Sequence, residues 1–112
     1  MSQPFQEMAR LSKLIHEPAR LAIVSALSAC QAADFVFLRR LTGLSKGNLS
    51  NHLSRLEEGG IVEIRKEFVG KAPRTVVSLT EAGRRSAMAY WEQLERLKRE
   101  AVRWRPEAVT TP

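Results

Sequence analysis

Residues 45–60, SKGNLSNHLSRLEEGG, constrain the fold of this chain more than any other stretch. Read as a helix at about 100° per residue, they place Leu49, Leu53 and Leu56 on one narrow stripe. The opposite face carries glycine, asparagine and serine instead of the Glu/Lys pairs of an ordinary solvent-facing helix. The pattern predicts a helix with a buried leucine stripe and an outward face that allows close approach to another molecule.

This outward face has two interpretations. Short side chains can lie against base-pair edges, asparagine can bond adenine bidentately, and lysine or arginine can reach guanine or phosphate. The same face also fits an ordinary amphipathic helix with a polar back, and the helix alone does not decide. The residues on or beside the face are Lys46, Gly47, Asn48, Ser50, Asn51, Ser54 and Arg55.

Charge favours the nucleic-acid interpretation. The 112 residues are enough for one domain, and 18 Lys+Arg against 12 Asp+Glu give a net charge of +6 and a pI near 10.2. A surplus of this size favours a polyanionic partner, although a merely solubilising charge gives the same count.

Cysteine and hydropathy exclude other classes. One cysteine, Cys30, excludes an internal disulfide and a thiolate metal cage within one chain. The start of the chain lacks the pattern of a signal peptide, and no apolar run approaches the ~18 residues of a membrane span. We therefore expect a cytoplasmic protein without a membrane partner.

Three helices are predicted before residue 45. Residues 5–15 form an amphipathic helix, and Pro18 opens a second helix that is apolar nearly all round and belongs at the centre of the fold. Asp34 caps a third helix, FVFLRRLT, that ends at Gly43. Because residues 42–45 then have the length of the turn in a helix-turn-helix, Ser45 is placed to cap the helix described above.

The hydrophobic period changes after Gly59 and Gly60. Apolar residues then indicate two strands with interleaved charges, broken at residues 69–74, VGKAPR. This predicts a hairpin with a basic tip at Lys71 and Arg74. A helix-turn-helix followed by such a hairpin is the order of a winged helix, with the hairpin as the wing.

The last predicted helix covers residues 81–104 and begins at a Thr80 cap. Its apolar residues recur at spacings of three and four along about 25 Å, which is more than a small core can cover. We expect the rest of this seam, with the apolar face of the first helix, to pair with a second copy. The predicted dimerisation residues are Phe5, Met8, Trp91, Leu94, Leu97, Ala101 and Trp104, and Ala87 belongs to the same seam.

Together these elements predict one mainly α-helical winged-helix domain over residues 1–112, with a small β-hairpin. It comprises an N-terminal helix at 5–15, a helix-turn-helix plus wing at 18–80 and a C-terminal dimerisation helix at 81–104.

The motifs LxxLTGLSKGNLSNHLSRLEEGGIVEI, KAPR, VVSLTEAG and HEPARLAIVSAL carry a family likeness over residues 15–90. The chain resembles the winged-helix transcriptional regulators of the ArsR/MarR type. The resemblance implies a dimer that binds an operator in duplex DNA and represses or activates transcription. By this resemblance the residues of the outward face listed above form the recognition helix, and the wing carries Arg65, Lys66, Lys71 and Arg74.

The chain departs from the metal-sensing branch of that family. Phe35, Val36 and Phe37 stand where those members have Cys-x-Cys, and no histidine follows His52. We therefore expect no metal and no other cofactor.

We interpret the chain as a homodimeric, sequence-specific DNA-binding regulator, a repressor acting on a palindromic operator. The alternative is a winged helix that contacts an acidic protein partner, which the small residues of the outward face disfavour. We predict no enzyme, because no paired carboxylates in apolar surroundings, nucleophile beside a base or phosphate-binding glycine loop occurs.

Three smaller expectations remain. His52 is a packing or hydrogen-bonding residue, and His16 is structural or exposed, with pH sensing beside Glu17 as its alternative. Trp91 and Trp104 belong to the core or line a cavity for a small-molecule effector.

Overall fold

The computed structural model describes residues 3–106, which form five helices and a three-stranded antiparallel sheet. In chain order the elements are α1 Pro4–Ala9, α2 Pro18–Ala29, β1 Ala33–Asp34, α3 Phe35–Thr42, α4 Lys46–Glu58, β2 Val62–Val69, β3 Ala72–Leu79 and α5 Glu81–Arg103.

The helices begin where the sequence supplies side-chain caps. The oxygen of Asp34 accepts from the N–H of Phe37, that of Ser45 from Asn48, and that of Thr80 from Gly83. Each such cap satisfies a backbone donor, and its removal lowers the stability by about 1 kcal/mol. The three predicted caps are therefore confirmed.

α3 ends at Gly43, whose φ of +70° is readily adopted only by glycine. This left-handed residue turns the chain from α3 into α4. Leu44, in the same turn, is half-buried against the core, as expected for the link of a helix-turn-helix.

The leucine stripe of α4 is buried as predicted, with Leu49, Leu53 and Leu56 at most 2% exposed. The helix packs on α2, whose Ile23, Val24 and Leu27 are fully buried. α2 is therefore the central helix around which the other elements pack.

The sheet has the order β1-β3-β2. β1 was not predicted, because two residues are too short to show an alternating pattern; it pairs Ala33 with Val77 and Asp34 with Val76. The predicted break at residues 69–74 is also wrong in extent. β2 and β3 pair up to Val69 and Ala72, so Pro73 and Arg74 belong to a strand.

The N-terminal helix predicted at 5–15 is shorter in the structure, where α1 ends at Ala9. Leu11 and Ile15 are buried in the core around α2 instead of continuing a helical stripe. The reason is that α1 packs along α5 while residues 10–17 turn towards the helix-turn-helix. One straight helix cannot bury its apolar residues in both places.

α1 is held to the C-terminal half of α5 of the same chain. The rings of Phe5 and Trp104 pack edge to face at 5.3 Å, and Arg96 Nη2 lies 2.6 Å from Glu7 Oε2. The Arg96 hydrogen bond, with the charge of Arg96, holds the pKa of Glu7 below its ordinary value. α1 therefore covers one flank of α5.

Candidate nucleic-acid interface

The outward face of α4 is solvent-exposed along its whole length. Every residue that the sequence placed on or beside it is exposed, and no other described element covers them: Lys46, Gly47, Asn48, Ser50, Asn51, Ser54 and Arg55. The helix therefore presents small and amide side chains with flanking cations while its leucines lie in the core.

A polar network ties α4 to the start of α2. Arg20 Nε donates to the carbonyl of Leu14 at 2.7 Å, and Arg20 Nη1 lies 3.1 Å from His52 Nδ1. Glu17 Oε2 lies 3.5 Å from that same imidazole nitrogen. His52 is therefore a hydrogen-bonding residue, as predicted, and it fixes the inner flank of α4.

Glu17 also caps α2 by accepting from the N–H groups of Ala19 and Arg20 at 3.1 and 2.9 Å. Burial raises the pKa of the Glu17 carboxyl, but these two hydrogen bonds and the charge of Arg20 outweigh it, so the pKa lies below its ordinary value. The network thus contains an ionised carboxylate at neutral pH.

The C-terminal end of α4 is held by close packing. Leu14 packs so closely on Gly59 that a Cβ added there would displace the end of the leucine side chain. Leu14 and Arg20 therefore fix α4 at both its end and its middle.

The wing cations lie on opposite faces of the β2–β3 ribbon. Lys66 pairs with Thr75 on the face that carries Ile64, whereas Arg65 lies on the other face beside Glu67. Arg65 Nη2 is 3.6 Å from Glu67 Oε1. The sequence analysis assigned Arg65 and Lys66 to one wing surface, although adjacent residues of a strand lie on opposite faces.

A groove separates the sheet from α4. It is lined by Ile64 and Thr75 of the ribbon and by Lys46, Ser50 and Ser54 of α4. The face of the wing that bears Lys66 and the outward face of α4 therefore form one continuous surface. Lys71 lies in the two-residue turn at the tip, and Arg74 lies three residues further along β3, opposite Glu67.

Two further cations were missed by the sequence analysis. Arg39 and Arg40, in the last turn of α3, are exposed and line a shallow depression with Gly43 and Leu44. Their position at the end of the first helix of a helix-turn-helix could have identified them, because that helix crosses the DNA backbone in such motifs.

His16 and the two tryptophans lie away from this surface. His16 Nδ1 is 2.5 Å from the hydroxyl of Tyr90, whose pKa is raised by burial. Trp91 is 42% exposed in a depression shared with Glu92, Glu95 and Arg99, whereas Trp104 packs on Phe5 and bonds Gln3. The tryptophans line no common cavity within residues 3–106.

Of the seven predicted dimerisation residues, Leu97 is misplaced. It is fully buried in the core of the single chain and has no surface to offer to a partner. The sequence position of Leu97 could not show this, because an apolar stripe can pack either on the core of its own chain or on a second copy. Phe5 and Trp91 are exposed, while Met8, Leu94, Ala101 and Trp104 are half-buried.

Residues 3–106 hold no group of three or more His, Cys, Asp or Glu side chains placed to bind a metal ion. None of the helices in that range is long and apolar enough to cross a lipid bilayer.

Comparison with known proteins identifies the family of this chain. A family model described as a winged helix DNA-binding domain matches residues 19–98. An uncharacterised protein of Methanocaldococcus jannaschii is 32% identical over 72 residues, which are 64% of this chain and 78% of that protein. The HTH-type transcriptional regulator YgaV of Escherichia coli is 32% identical over 62 residues, 55% of this chain and 63% of YgaV.

Solved structures of other proteins share the fold of this chain. A transcriptional regulator homologue from Pyrococcus horikoshii is 28% identical with a TM-score of 0.79, covering 88% of this chain and 96% of that one. MarR shares the fold at 20% identity and a TM-score of 0.67, covering 83% of this chain and 65% of MarR. This chain therefore belongs to the winged helix DNA-binding domain family.

Proposed function

We propose that the chain binds duplex DNA sequence-specifically as a homodimer and represses transcription from a palindromic operator. The observation that carries this proposal is the exposed outward face of α4, whose short polar side chains continue into the cationic face of the wing. Such a surface is shaped for a helix that lies in the major groove with a ribbon beside it.

Within this surface we assign two roles. Ser50 and Asn51, near the centre of the exposed face of α4, read base edges, because asparagine can both donate to and accept from adenine. Cations on α4 and the wing contact phosphates, which gives affinity and register but no choice of sequence. These are Lys46, Arg55, Arg65, Lys66, Lys71 and Arg74, with Gly47, Asn48 and Ser54 allowing close approach.

The shape of the single chain supports a dimer. Its radius of gyration is 17.7 Å and it extends 72 × 26 × 21 Å, whereas a compact chain of this length has a radius of gyration of about 13 Å. α5 is a 23-residue helix, about 35 Å long, that only α1 and part of the core cover. A second copy would bury the exposed flank.

That flank carries a stripe with coiled-coil spacing. Met88, Trp91 and Val102 are 60%, 42% and 72% exposed, and with Glu95 and Lys98 they follow each other at spacings of three and four. Met88 and Val102 were not among the predicted dimerisation residues. We propose that they replace Leu97 in the interface.

The charges on the stripe favour an antiparallel pair. Glu92 and Glu95 lie in the N-terminal part of the stripe, and Lys98 and Arg99 lie in the C-terminal part. A two-fold axis between antiparallel α5 helices brings the acidic pair of one copy opposite the basic pair of the other, twice. Two parallel helices would instead oppose like charges.

Such a dimer holds two copies of α4 that enter successive major grooves about 34 Å apart. The operator is then an imperfect palindrome with half-sites about one helical turn apart. A signal would act by changing the angle between the two halves.

Selection of duplexes from a random-sequence pool, followed by affinity measurements over a salt series, tests the proposal. We expect enrichment of a palindrome and a steep linear fall of log K with log salt concentration, because each phosphate contact releases counterions. If no sequence is enriched and binding to DNA is insensitive to salt, the alternative of an acidic protein partner replaces this proposal.

A further inference from the structure

The end of the wing carries an aromatic side chain that no described part of the chain covers. Phe68 is 72% exposed and Val69 is 58% exposed. They pair across the ribbon with Pro73 and Ala72, so the last two residue pairs of the hairpin are apolar. Exposed strand ends usually carry charges, so a contiguous apolar tip indicates contact with another molecule.

The geometry of the tip projects it away from the body of the domain. β1 pairs with the far half of β3 only, which leaves the tip a two-stranded ribbon. Its turn consists of Gly70, with φ of +63°, and Lys71. Such a two-residue turn keeps the ribbon narrow.

Phe68 lies on the face of the ribbon that continues the groove beside α4. Along β2, Ile64, Lys66 and Phe68 alternate with residues of the opposite face. Ile64 and its neighbour Thr75 line the groove together with α4. A molecule that contacts the outward face of α4 and follows this surface therefore reaches Phe68.

The charges around the phenyl ring define the chemistry of that molecule. Lys66 lies on the same face and Lys71 lies in the turn, whereas Arg74 pairs with Glu67 on the opposite face of the ribbon. The one acidic side chain at this end of the ribbon, Glu67, lies on the opposite face and is paired with Arg65. A phenyl ring flanked by cations fits a polyanion that also offers apolar surface.

We propose that Phe68 is an apolar wedge that packs into the minor groove of duplex DNA. This inference rests on the proposed DNA-binding function. The minor groove is about 6 Å wide, and proteins commonly insert phenylalanine, leucine or proline between base steps there. Lys66 and Lys71 hold the phosphates beside the wedge, and flexible pyrimidine–purine steps beneath it lower the cost of unstacking.

The test compares Phe68→Ala with Val69→Ala, which removes an exposed apolar side chain from the opposite face of the same ribbon. Binding is measured on the duplex selected by the wild-type protein. We expect Phe68→Ala to weaken binding at least about tenfold, since the ring loses its burial in the groove. Val69→Ala stays within about twofold, and Phe68→Leu retains most of the affinity because leucine also serves as a wedge.

A fluorescent base analogue placed at successive steps under the wing reports unstacking directly. Its emission rises at one step on binding of the wild-type protein and of Phe68→Leu, but not of Phe68→Ala. The melting temperatures of the free variants stay equal to that of the wild type, because the ring makes no buried contact in the chain.

The outcomes separate the two hypotheses. If the wild-type protein binds the selected duplex and Phe68→Ala binds it equally well with the same fluorescence, the wedge is refuted and DNA binding stands. If Phe68→Ala changes the molecular mass in solution, the ring contacts a second copy and the wedge is also refuted. If the wild-type protein binds no duplex, the proposed function itself fails.

Discussion

Asn51 is the residue whose role in DNA recognition is sharpest to test. It lies on the exposed side of α4, away from Leu49 and Leu53, and it makes no hydrogen bond to another described side chain. Its removal therefore leaves the fold unchanged and alters only what α4 presents to a partner. That separation makes a loss of binding interpretable.

We predict that Asn51→Ala weakens binding to the selected operator by about 1–3 kcal/mol and leaves binding to random duplex unchanged. Arg74→Ala is the matched comparison, because loss of a phosphate contact weakens all sequences together and lowers the slope of the salt dependence by about 1. Titration of both variants on both duplexes measures the difference. An unaltered preference for the operator in Asn51→Ala would show that Asn51 does not read a base.

His52 allows a second prediction, about the stability of the domain. Because Arg20 Nη1 uses His52 Nδ1 as its partner, His52→Leu removes the acceptor, whereas His52→Asn keeps a polar atom near the same place. We expect His52→Leu to lower the free energy of unfolding by about 1.5–3 kcal/mol and His52→Asn to lower it less. Leucine has the higher helix propensity, so propensity alone predicts the opposite order in urea denaturation.

Single residues also show which features of the fold can be predicted from the sequence. The leucines of α4 and the caps at Asp34, Ser45 and Thr80 were predicted, because spacing and capping are local properties. The contact between Arg20 and His52 joins residues 32 positions apart, and no periodic pattern encodes it. The sequence indicated only that His52 flanks the stripe.

Among the elements, the start of α2 depends on a charge. The pKa of Glu17 is below its ordinary value of 4.5, so its ionised form stabilises the folded state. That contribution is complete above pH 4.5 and is lost as the pH falls through the lower folded-state pKa. The stability of α2, and with it the position of Arg20, is therefore sensitive to acid.

We predict that Glu17→Ala lowers the free energy of unfolding by about 1 kcal/mol at pH 7 and by much less at pH 3. Urea unfolding at the two pH values measures this, with Glu58→Ala, which removes an exposed carboxylate from α4, as the control. The control is expected to change stability by less than about 0.5 kcal/mol. An effect of Glu17→Ala that is the same at both pH values would exclude a role for the charge.

Two causes account for the elements that were predicted incorrectly. β1 has two residues and α1 has six, so neither is long enough for a periodic pattern to define its bounds. The wing strands extend beyond the predicted break because Pro73 lies where only β2 pairs with β3, and an outer position tolerates proline. Long elements such as α4 and α5 were predicted with their caps, and α2 was predicted with Pro18 in its first turn but without its Glu17 cap, because periodic signals add over many residues.

At the scale of the whole molecule, two surfaces lie on different elements. The cationic surface comprises α4 and the wing, whereas the exposed stripe lies on α5. Sequence periodicity revealed the seam of α5 but not which part of it the chain covers itself. Only packing distinguishes Leu97, which is fully buried, from Val102, which is 72% exposed.

The dimer proposed here makes a prediction about the charges on that stripe. We expect the wild-type protein to have twice its chain mass of 12.6 kDa in sedimentation equilibrium. Glu92→Lys with Glu95→Lys places four cations of each copy near one another across the two-fold axis, so this variant shifts towards the monomer. Adding Lys98→Glu and Arg99→Glu reverses the whole pattern, restores complementarity and returns the dimer.

The fourfold variant is informative because it keeps the number and spacing of charges on α5 and changes only their order. Arg103→Glu, which reverses an exposed charge of α5 outside the stripe, serves as the control and leaves the mass unchanged. Rescue of the dimer by the fourfold variant is the result expected when the acidic pair of one copy faces the basic pair of the other. Because Arg99 also lies 3.9 Å from Glu95 of the same helix, circular dichroism of the twofold variant must show an unchanged helix content. A wild-type monomer, or a fourfold variant that stays monomeric while folded, would refute the antiparallel arrangement and with it the spacing that sets the operator half-sites.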